Sequence, residues 1–171
     1  INSKLNSPIS LGYSNVGTVI EKGSDINDFN IGDRVVSNGN HAEQVLVPRN
    51  LCCKIPNSVS DEEASFAVIG SIGLQGIRMA NPNFGERYLV IGLGIIGQIT
   101  VQLLKSNGCE VFALDTNSQR CDLANQFGAN CLHLNSYVNP IAWSEKQTNN
   151  LGFDGVIVTA STNTSDPLTL A

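Results

Sequence analysis

One short glycine-rich segment constrains the fold of this chain more than any other feature. The segment Gly92-Leu93-Gly94-Ile95-Ile96-Gly97 directly follows the apolar run Tyr88 to Ile91 and opens a predicted helix. In such a strand-turn-helix the first glycine permits the tight turn, the second lets the backbone approach a pyrophosphate, and the third lets helix and strand pack closely. Unpaired N–H groups at the helix start then face the anion. The sequence therefore predicts a dinucleotide site lined by Gly92, Gly94, Ile95, Ile96 and Gly97.

An acidic residue follows at the spacing that such a site needs. Asp115 lies eighteen residues beyond Gly97, at the end of the next predicted strand, where a carboxylate can accept hydrogen bonds from both hydroxyls of the adenosine ribose. The carboxylate would repel the 2′-phosphate of NADP, so the sequence favours NAD. Arg120 could pair with such a phosphate, which keeps NADP as the less favoured alternative. A plain turn or helix-capping role is the alternative for Asp115.

The second half of the chain alternates predicted strands and helices, which is typical of a parallel sheet covered on both faces. Strands are predicted at Tyr88 to Ile91, Val111 to Leu114, Cys131 to Leu134 and Val156 to Thr159. Helices are predicted at Ile96 to Ser106, Gln119 to Phe127 and Ile141 to Asn149. Gly108 and Gly128 are expected to end the first two helices in a left-handed conformation. Beyond the fourth strand, Thr159, Ala160 and Ser161 are expected to border the adenosine and the nicotinamide ribose.

The first third of the chain has a sequence pattern that is typical of a small β-barrel or sandwich. Short β-prone runs alternate there with turns rich in Gly, Asn and Asp, and the runs are Val16 to Ile20, Arg34 to Ser37 and Ala42 to Val47. After Pro56, Ser60 and three acidic residues predict a helix start, and the helix continues with several glycines toward Met79. Those glycines indicate close packing. We therefore predict a mostly β domain at residues 1–58 and a dinucleotide-binding domain at 59–171.

Composition excludes several classes of protein. The net charge is −5 and no run of Lys or Arg is present, which argues against a nucleic-acid partner. No stretch approaches the ~20 apolar residues that cross a bilayer, and the first residues do not resemble a signal peptide. The five cysteines are odd in number and include no C-x-x-C pair, which argues against a disulfide framework and a zinc ribbon. We therefore expect a cytoplasmic protein that acts on a small molecule.

The remaining chemically active side chains have plain explanations. His41 precedes a predicted strand and His133 lies within one, and neither has a second His, Cys or Glu at metal-ligand spacing. Structural or surface roles are therefore expected for both. Trp143 lies on a predicted helix and is expected in the core.

The order of these signals resembles the medium-chain dehydrogenase/reductase superfamily, in which a GroES-like catalytic barrel leads into a Rossmann domain. The segments that carry the resemblance are LGYSNVGTVIEKGSDINDFNIGDRVV (Leu11 to Val36), HAEQVLVPRNLCCKIP (His41 to Pro56), GERYLVIGLGIIGQ (Gly85 to Gln98) and FGAN (Phe127 to Asn130). The resemblance implies an α/β fold with a partial GroES-like β-barrel followed by a partial Rossmann doubly wound parallel sheet. It also implies hydride transfer to or from an alcohol or carbonyl substrate.

A narrower resemblance bears on the substrate. The LGYS opening and SIGLQGIR (Ser71 to Arg78) are similar to the dehydrogenase half of bi-domain oxidoreductases, in which a further domain follows. This resemblance implies a substrate related to sugars, by analogy at the level of the fold.

The chain departs from the zinc-dependent members of the superfamily. Those members usually read G-H-E where this chain has Gly12-Tyr13-Ser14. Only five residues separate Val36 from Ala42, where those members carry a long cysteine-bearing lobe, and no cysteine lies between Ala64 and Gly76, where another catalytic ligand commonly sits. The resemblance therefore implies an NAD-dependent oxidoreductase without zinc.

The resemblance also sets expectations about what surrounds this chain. A complete nucleotide domain would have six strands, and the fourth predicted strand is the last one here, so we expect a chain truncated at both ends whose catalytic residues are unknown. The full-length protein is expected to form a homo-oligomer. Two alternatives remain open, namely a nucleotide-binding regulatory module without chemistry and a structural scaffold with a vacant pocket.

Overall fold

The computed structural model describes residues 11–135, 137–161, 163 and 165–171. The first ten residues of the predicted β domain therefore lie outside the described part. The chain divides into two compact units, the first ending at Ile69 and the second beginning at Gly70. The predicted domain limit between residues 58 and 59 stays a prediction. Within the described ranges, no helix combines the length and the apolar character that crossing a membrane requires.

The first unit contains a three-stranded antiparallel sheet. Its strands, in the order β1-β2-β3, are β1 (Asn15–Thr18), β2 (Arg34–Ser37) and β3 (Cys52–Lys54). The middle strand buries Val36 against Ile55 and Ala64. A short helix, α1 (Asp61–Ala64), is capped at its start by Ser60, whose hydroxyl accepts a hydrogen bond from the N–H of Glu63. This cap satisfies an otherwise unpaired donor at the helix start, so the predicted helix start is confirmed.

Two predictions about the first unit are wrong in detail. Ala42 to Val47 does not form a strand, and Leu46 in this segment is fully exposed. The reason is the pairing of β2, because β1 occupies one of its edges and β3 occupies the other. The predicted run therefore finds no free edge on β2. The helix toward Met79 is also interrupted, because α1 ends at Ala64 and α2 covers Ala67–Ala80.

The second unit is a four-stranded parallel sheet with helices between its strands. The strands are β4 (Arg87–Ile91), β5 (Glu110–Asp115), β6 (Asn130–His133) and β7 (Gly155–Val158), in the order β6-β5-β4-β7. The helices that follow α2 are α3 (Ile95–Ser106), α4 (Ser118–Gln126), α5 (Pro140–Thr148) and α6 (Asp166–Leu170). The four strands and the first three of these helices lie within one residue of their predicted bounds. The predicted α/β class with a parallel sheet is confirmed.

Alternate residues of the central strands bury opposite faces of the sheet. Val90 and Ala113 belong to one buried cluster, whereas Phe112 belongs to another on the opposite face, with Trp143 and Phe153 packed against it. The ring centroids of Phe112 and Phe153 lie 5.1 Å apart. Both faces are therefore covered, and Trp143, predicted in the core, packs against the buried cluster while it stays partly exposed.

Glycines on α2 account for its close approach to its neighbours. A Cβ on Gly73 would lie 2.7 Å from the hydroxyl oxygen of Thr100 on α3. A Cβ on Gly76 would lie 3.9 Å from the side chain of Ile157 on β7. The predicted close packing is thus confirmed, and its partners are α3 and β7.

The two glycines predicted to end helices are confirmed as well. Gly108 and Gly128 have φ of +84° and +87°, and each follows the residue that caps α3 or α4. The left-handed backbone that these positions require favours glycine.

Candidate dinucleotide-binding site

The glycine segment forms the turn between β4 and α3, at the carboxyl end of the parallel sheet. Gly92 has a φ of +94°, and a Cβ there would lie 2.6 Å from the backbone of Ala160. A Cβ on Gly97 would lie 2.0 Å from the carbonyl oxygen of Gly92. Two of the three glycines are therefore required by close packing of the turn, the helix and the segment after β7.

The middle glycine has a different environment. A Cβ on Gly94 would meet no heavy atom within 4 Å, and its φ of −65° and ψ of −172° suit any residue. Gly94 precedes α3 directly, and no side chain caps the start of that helix. The N–H groups of the first helical turn therefore have no capping side chain as acceptor, and a helix start of this kind can bind an anion.

Thr159 links the end of β7 to the turn. Its hydroxyl donates a hydrogen bond to the carbonyl oxygen of Gly92 over 2.5 Å, and its backbone N–H donates to the carbonyl of Ile91. Ala160 touches the turn through its backbone, whereas Ser161 is exposed. The structure thus brings Thr159 and Ala160 to the glycine turn, whereas their expected contact with the adenosine and the nicotinamide ribose stays a prediction.

Asp115 ends β5, and its side chain reaches the glycine turn. One carboxylate oxygen accepts a hydrogen bond from the N–H of Leu93 at 2.6 Å. The other accepts from the N–H of Asn117 at 2.8 Å. The residue is only 8% exposed. Because an ionised carboxylate has about four acceptor sites, two remain for other donors, such as the two hydroxyls of a ribose.

The start of α4 lies beside this carboxylate. Asn117 caps the helix through its side-chain oxygen, which accepts from the N–H of Arg120 at 3.1 Å. One guanidinium nitrogen of Arg120 lies 3.8 Å from the carboxylate of Asp115, and the arginine side chain is 55% exposed. Arg120 is therefore within reach of the place where a ribose would bind, and it is free to turn toward solvent. The separation of 3.8 Å and the exposure of the guanidinium make this a weak ion pair.

Sequence reasoning missed Gln98, which follows the third glycine directly. Its side-chain nitrogen donates to the carbonyl oxygens of Leu93 at 3.3 Å and of Arg120 at 2.8 Å. The residue is only 8% exposed. The available signal was a polar amide among the apolar residues of the predicted helix, directly after the glycine segment.

The residues at the positions where zinc-dependent members of the superfamily carry G-H-E do not form a metal site. The hydroxyl of Ser14 donates to the backbone carbonyl of Ser65 at 2.5 Å, and Tyr13 is half exposed. His41 packs its ring against Gly12, where a Cβ would lie 2.2 Å from an imidazole nitrogen. Across the described residues, no group of three or more His, Cys, Asp or Glu side chains is placed to hold a metal ion. The side chains present in the described ranges therefore do not fit a zinc ion.

The second histidine and the cysteines have structural surroundings. One ring nitrogen of His133 lies 3.0 Å from the carbonyl oxygen of Thr116, in the loop that follows Asp115. The thiol of Cys121 donates to the carbonyl of Asp115 over 3.7 Å, and burial raises the pKa values of the thiols of Cys121 and Cys131. Thiols with raised pKa values are poor nucleophiles at neutral pH, so these cysteines do not add reactive groups to the site.

Comparison with known proteins gives the family. A family model described as an alcohol dehydrogenase GroES-like domain matches residues 2–77, and one described as a zinc-binding dehydrogenase matches residues 96–168. Together they match most of the chain. The chain belongs to the medium-chain dehydrogenase/reductase superfamily. Within this superfamily the first unit corresponds to the GroES-like barrel and the second to the Rossmann sheet, as the sequence predicted.

Two of the individual relatives are named as dehydrogenases. The D-guloside 3-dehydrogenase of Escherichia coli (strain K12) is 38% identical over 128 residues, which are 72% of this chain and 37% of that protein. The structure of galactitol-1-phosphate dehydrogenase from Escherichia coli matches with a TM-score of 0.86 at 23% identity, over 98% of this chain and 58% of that one. A mycobacterial protein solved in complex with NADPH matches with a TM-score of 0.75 at 25% identity, over 90% of this chain and 51% of that one. This chain thus spans little more than a third of the curated relative and about half of the solved structures.

Proposed function

We propose that this chain provides the NAD-binding part of a zinc-independent dehydrogenase or reductase of the medium-chain type. The observation that carries the proposal is the meeting of Asp115 with the glycine turn, since its carboxylate binds the N–H of Leu93 at 2.6 Å. An anion-binding helix start and a ribose-binding carboxylate are the two parts that a dinucleotide needs. Here they lie side by side at the carboxyl end of β4 and β5.

The proposed contacts with the cofactor follow from the packing of the turn, which is open at Gly94 and filled at Gly92 and Gly97. Gly94, where a Cβ would meet no heavy atom within 4 Å, and the first-turn N–H groups of Ile95, Ile96 and Gly97 would hold the diphosphate. The two remaining acceptor sites of Asp115 would accept hydrogen bonds from the ribose hydroxyls. When bound, the nicotinamide accepts or donates a hydride, and the residues of this chain hold the adenosine half of the cofactor in place.

Preference for NAD over NADP is part of the proposal. The buried carboxylate of Asp115 would repel a 2′-phosphate, and the repulsion is strong because little solvent screens it. Arg120 is the group that could offset this repulsion, since it lies 3.8 Å from the carboxylate. The mycobacterial neighbour that binds NADPH shows why both cofactors belong in the test.

Zinc independence and a sugar-related substrate complete the proposal. The described residues at the zinc-ligand positions do not fit a metal, so no step of the proposed mechanism depends on one. Relatives that act on a guloside and on galactitol-1-phosphate support a polyhydroxylated substrate whose alcohol or carbonyl exchanges the hydride. We further propose a cytoplasmic homo-oligomer that binds neither nucleic acid nor membranes.

The test is titration of the intact protein with NAD and NADP by calorimetry, followed by a dehydrogenase screen with sugars and polyols after treatment with a metal chelator. We expect NAD to bind more tightly than NADP and turnover to survive the chelator. Asp115→Asn should weaken NAD binding by about tenfold or more, since a charged acceptor is lost, and should narrow the difference between NAD and NADP. Absence of NAD binding would refute the proposal, binding without turnover would favour a regulatory module, and activity that disappears with the metal would refute zinc independence.

A further inference from the structure

Gln98 lies behind the glycine turn, where it contacts two separate parts of the proposed site. We propose that Gln98 is a positioning residue for the cofactor, which joins the turn to the start of α4 and so holds Leu93 and Asp115 in the geometry that binds the adenosine ribose. This inference rests on the proposed function. It concerns a residue whose side-chain nitrogen is taken up by backbone carbonyls of the protein itself, so its proposed role is to position other groups of the site.

The contacts of the amide fix its orientation. Its nitrogen donates to the carbonyl oxygens of Leu93 at 3.3 Å and of Arg120 at 2.8 Å. An amide NH2 carries two donors, whereas the amide oxygen carries none. The side chain can therefore satisfy both carbonyls in one orientation only. Leu93 belongs to the turn and Arg120 to the first turn of α4, so a single side chain connects the two segments.

These bonds complete a ring of hydrogen bonds. The N–H of Leu93 donates to Asp115, and the same carboxylate accepts from the N–H of Asn117. The side chain of Asn117 in turn accepts from the N–H of Arg120. The carbonyls of Arg120 and Leu93 then meet at Gln98. Because every member is held on two sides, the carboxylate of Asp115 keeps a fixed direction relative to the turn.

A contribution to the stability of the fold does not by itself explain the presence of a buried glutamine at position 98. The amide oxygen of Gln98 is buried and has no hydrogen-bond partner among the described residues. A buried acceptor without a donor costs free energy, and this cost offsets part of what the two donated bonds contribute. An apolar side chain of similar shape should therefore preserve the fold while it releases the turn from α4. This expected separation of stability from binding makes the inference testable.

The experiment compares Gln98→Met with Gln102→Met in the intact protein. Gln102 lies one turn later on α3, where it is exposed and donates to the backbone carbonyl of Gln98 at 3.2 Å. We expect Gln98→Met to raise the Kd and the KM for NAD about tenfold. The variant loses the two hydrogen bonds that hold Leu93 and Arg120 together, and the loss of such bonds typically changes a binding constant by about this factor. The kcat at saturating NAD should remain unchanged. The unfolding midpoint should fall by only a few degrees, because the loss of the two donated bonds is partly offset by removal of the unpaired amide oxygen. The control variant should resemble the wild type in all four quantities.

Each outcome decides the question. An unchanged Kd for NAD in a folded Gln98→Met variant overturns the positioning role, and so does a Kd that rises equally in the control. If Gln98→Met does not fold, Gln98→Asn takes its place, because it keeps the amide but is too short to reach both carbonyls. A wild-type protein that binds no NAD refutes the proposed function and with it this role. A wild type that binds NAD while the Gln98 variants bind equally well refutes the positioning role alone.

Discussion

A single methyl group added at Gly94 should separate cofactor binding from folding. The backbone there suits any residue, with a φ of −65° and a ψ of −172°, and the new Cβ would meet no heavy atom within 4 Å. Gly94→Ala therefore introduces no strain into the folded state and restricts the unfolded chain. The free energy of unfolding should stay the same or rise by up to about 1 kcal/mol.

The same methyl group occupies the surface over which the diphosphate is proposed to lie. It would hold the anion away from the N–H groups at the start of α3, and charge-assisted hydrogen bonds of this kind are worth about 1.5–3 kcal/mol. Gly94→Ala should therefore raise the Kd for NAD by roughly 10- to 100-fold. Stability and affinity should thus change independently in one variant.

Gly97→Ala is the matched control, because the same methyl group meets a filled space three residues later. Its Cβ would lie 2.0 Å from the carbonyl oxygen of Gly92 and 2.8 Å from the hydroxyl of Thr159. Since the first of these atoms is backbone, helix and strand must move apart. We expect a loss of about 1–3 kcal/mol or more in the free energy of unfolding, seen as a midpoint lower by several degrees.

The assay is calorimetric titration with NAD beside urea denaturation of the wild type and both variants. Two results would refute the reasoning. One is a Gly94→Ala protein that binds NAD as tightly as the wild type does, which would place the diphosphate elsewhere. The other is a Gly94→Ala protein that loses as much stability as Gly97→Ala does, which would mean that the surface at Gly94 is not open.

Three further predictions concern the rest of the chain. Gly73→Ala should cost about 1–3 kcal/mol of unfolding free energy by urea denaturation, because its Cβ would lie 2.7 Å from a buried threonine hydroxyl, whereas Gly70→Ala, with its nearest atom at 3.7 Å, should cost nothing. The hydrogen bond from Lys54 lowers the pKa of Asp33 below its ordinary value of 3.8, so this pair stabilises the fold above that pH and stabilises it less as the pH falls further. Lys54→Met should therefore make the free energy of unfolding, measured by denaturation between about pH 3 and 6, depend less on pH. An unchanged pH dependence would contradict this prediction. Burial raises the pKa of the Cys131 thiol, so mass spectrometry should find it unmodified by iodoacetamide at neutral pH until the protein is unfolded.

The parallel half of the fold could be predicted from sequence because its signals are local and repeated. The two central strands, β4 and β5, are short buried apolar runs, and each of the four strands is followed by a helix. Gly108 and Gly128 mark the ends of two helices through a conformation that other residues avoid. The antiparallel half could not be predicted as well, because pairing depends on which strands compete for an edge. Ala42 to Val47 reads as a strand, yet Cys52–Lys54 takes the available edge of β2.

In the candidate site, too, features with a local sequence signal could be predicted and features that depend on tertiary contacts could not. The turn and Asp115 could be predicted because a fixed spacing and a strand end place them together. The role of Gln98 could not, because its two acceptors are backbone carbonyls, which leave no mark in the sequence. The contact of Thr159 with Gly92 was similarly hidden, since 67 residues separate the two, although its place after the fourth strand indicated the right neighbourhood.

The closure of the turn by Thr159 has a consequence for how the protein matures on the ribosome. The carbonyl of Gly92 receives its partner only from a strand made 67 residues later, and the missing side chain of Gly92 leaves the space into which Ala160 fits. A nascent chain that has emerged only as far as α5 would contain every glycine of the turn but not the segment that holds it. Competence to capture a dinucleotide should therefore arise late in synthesis, when β7 docks beside β4.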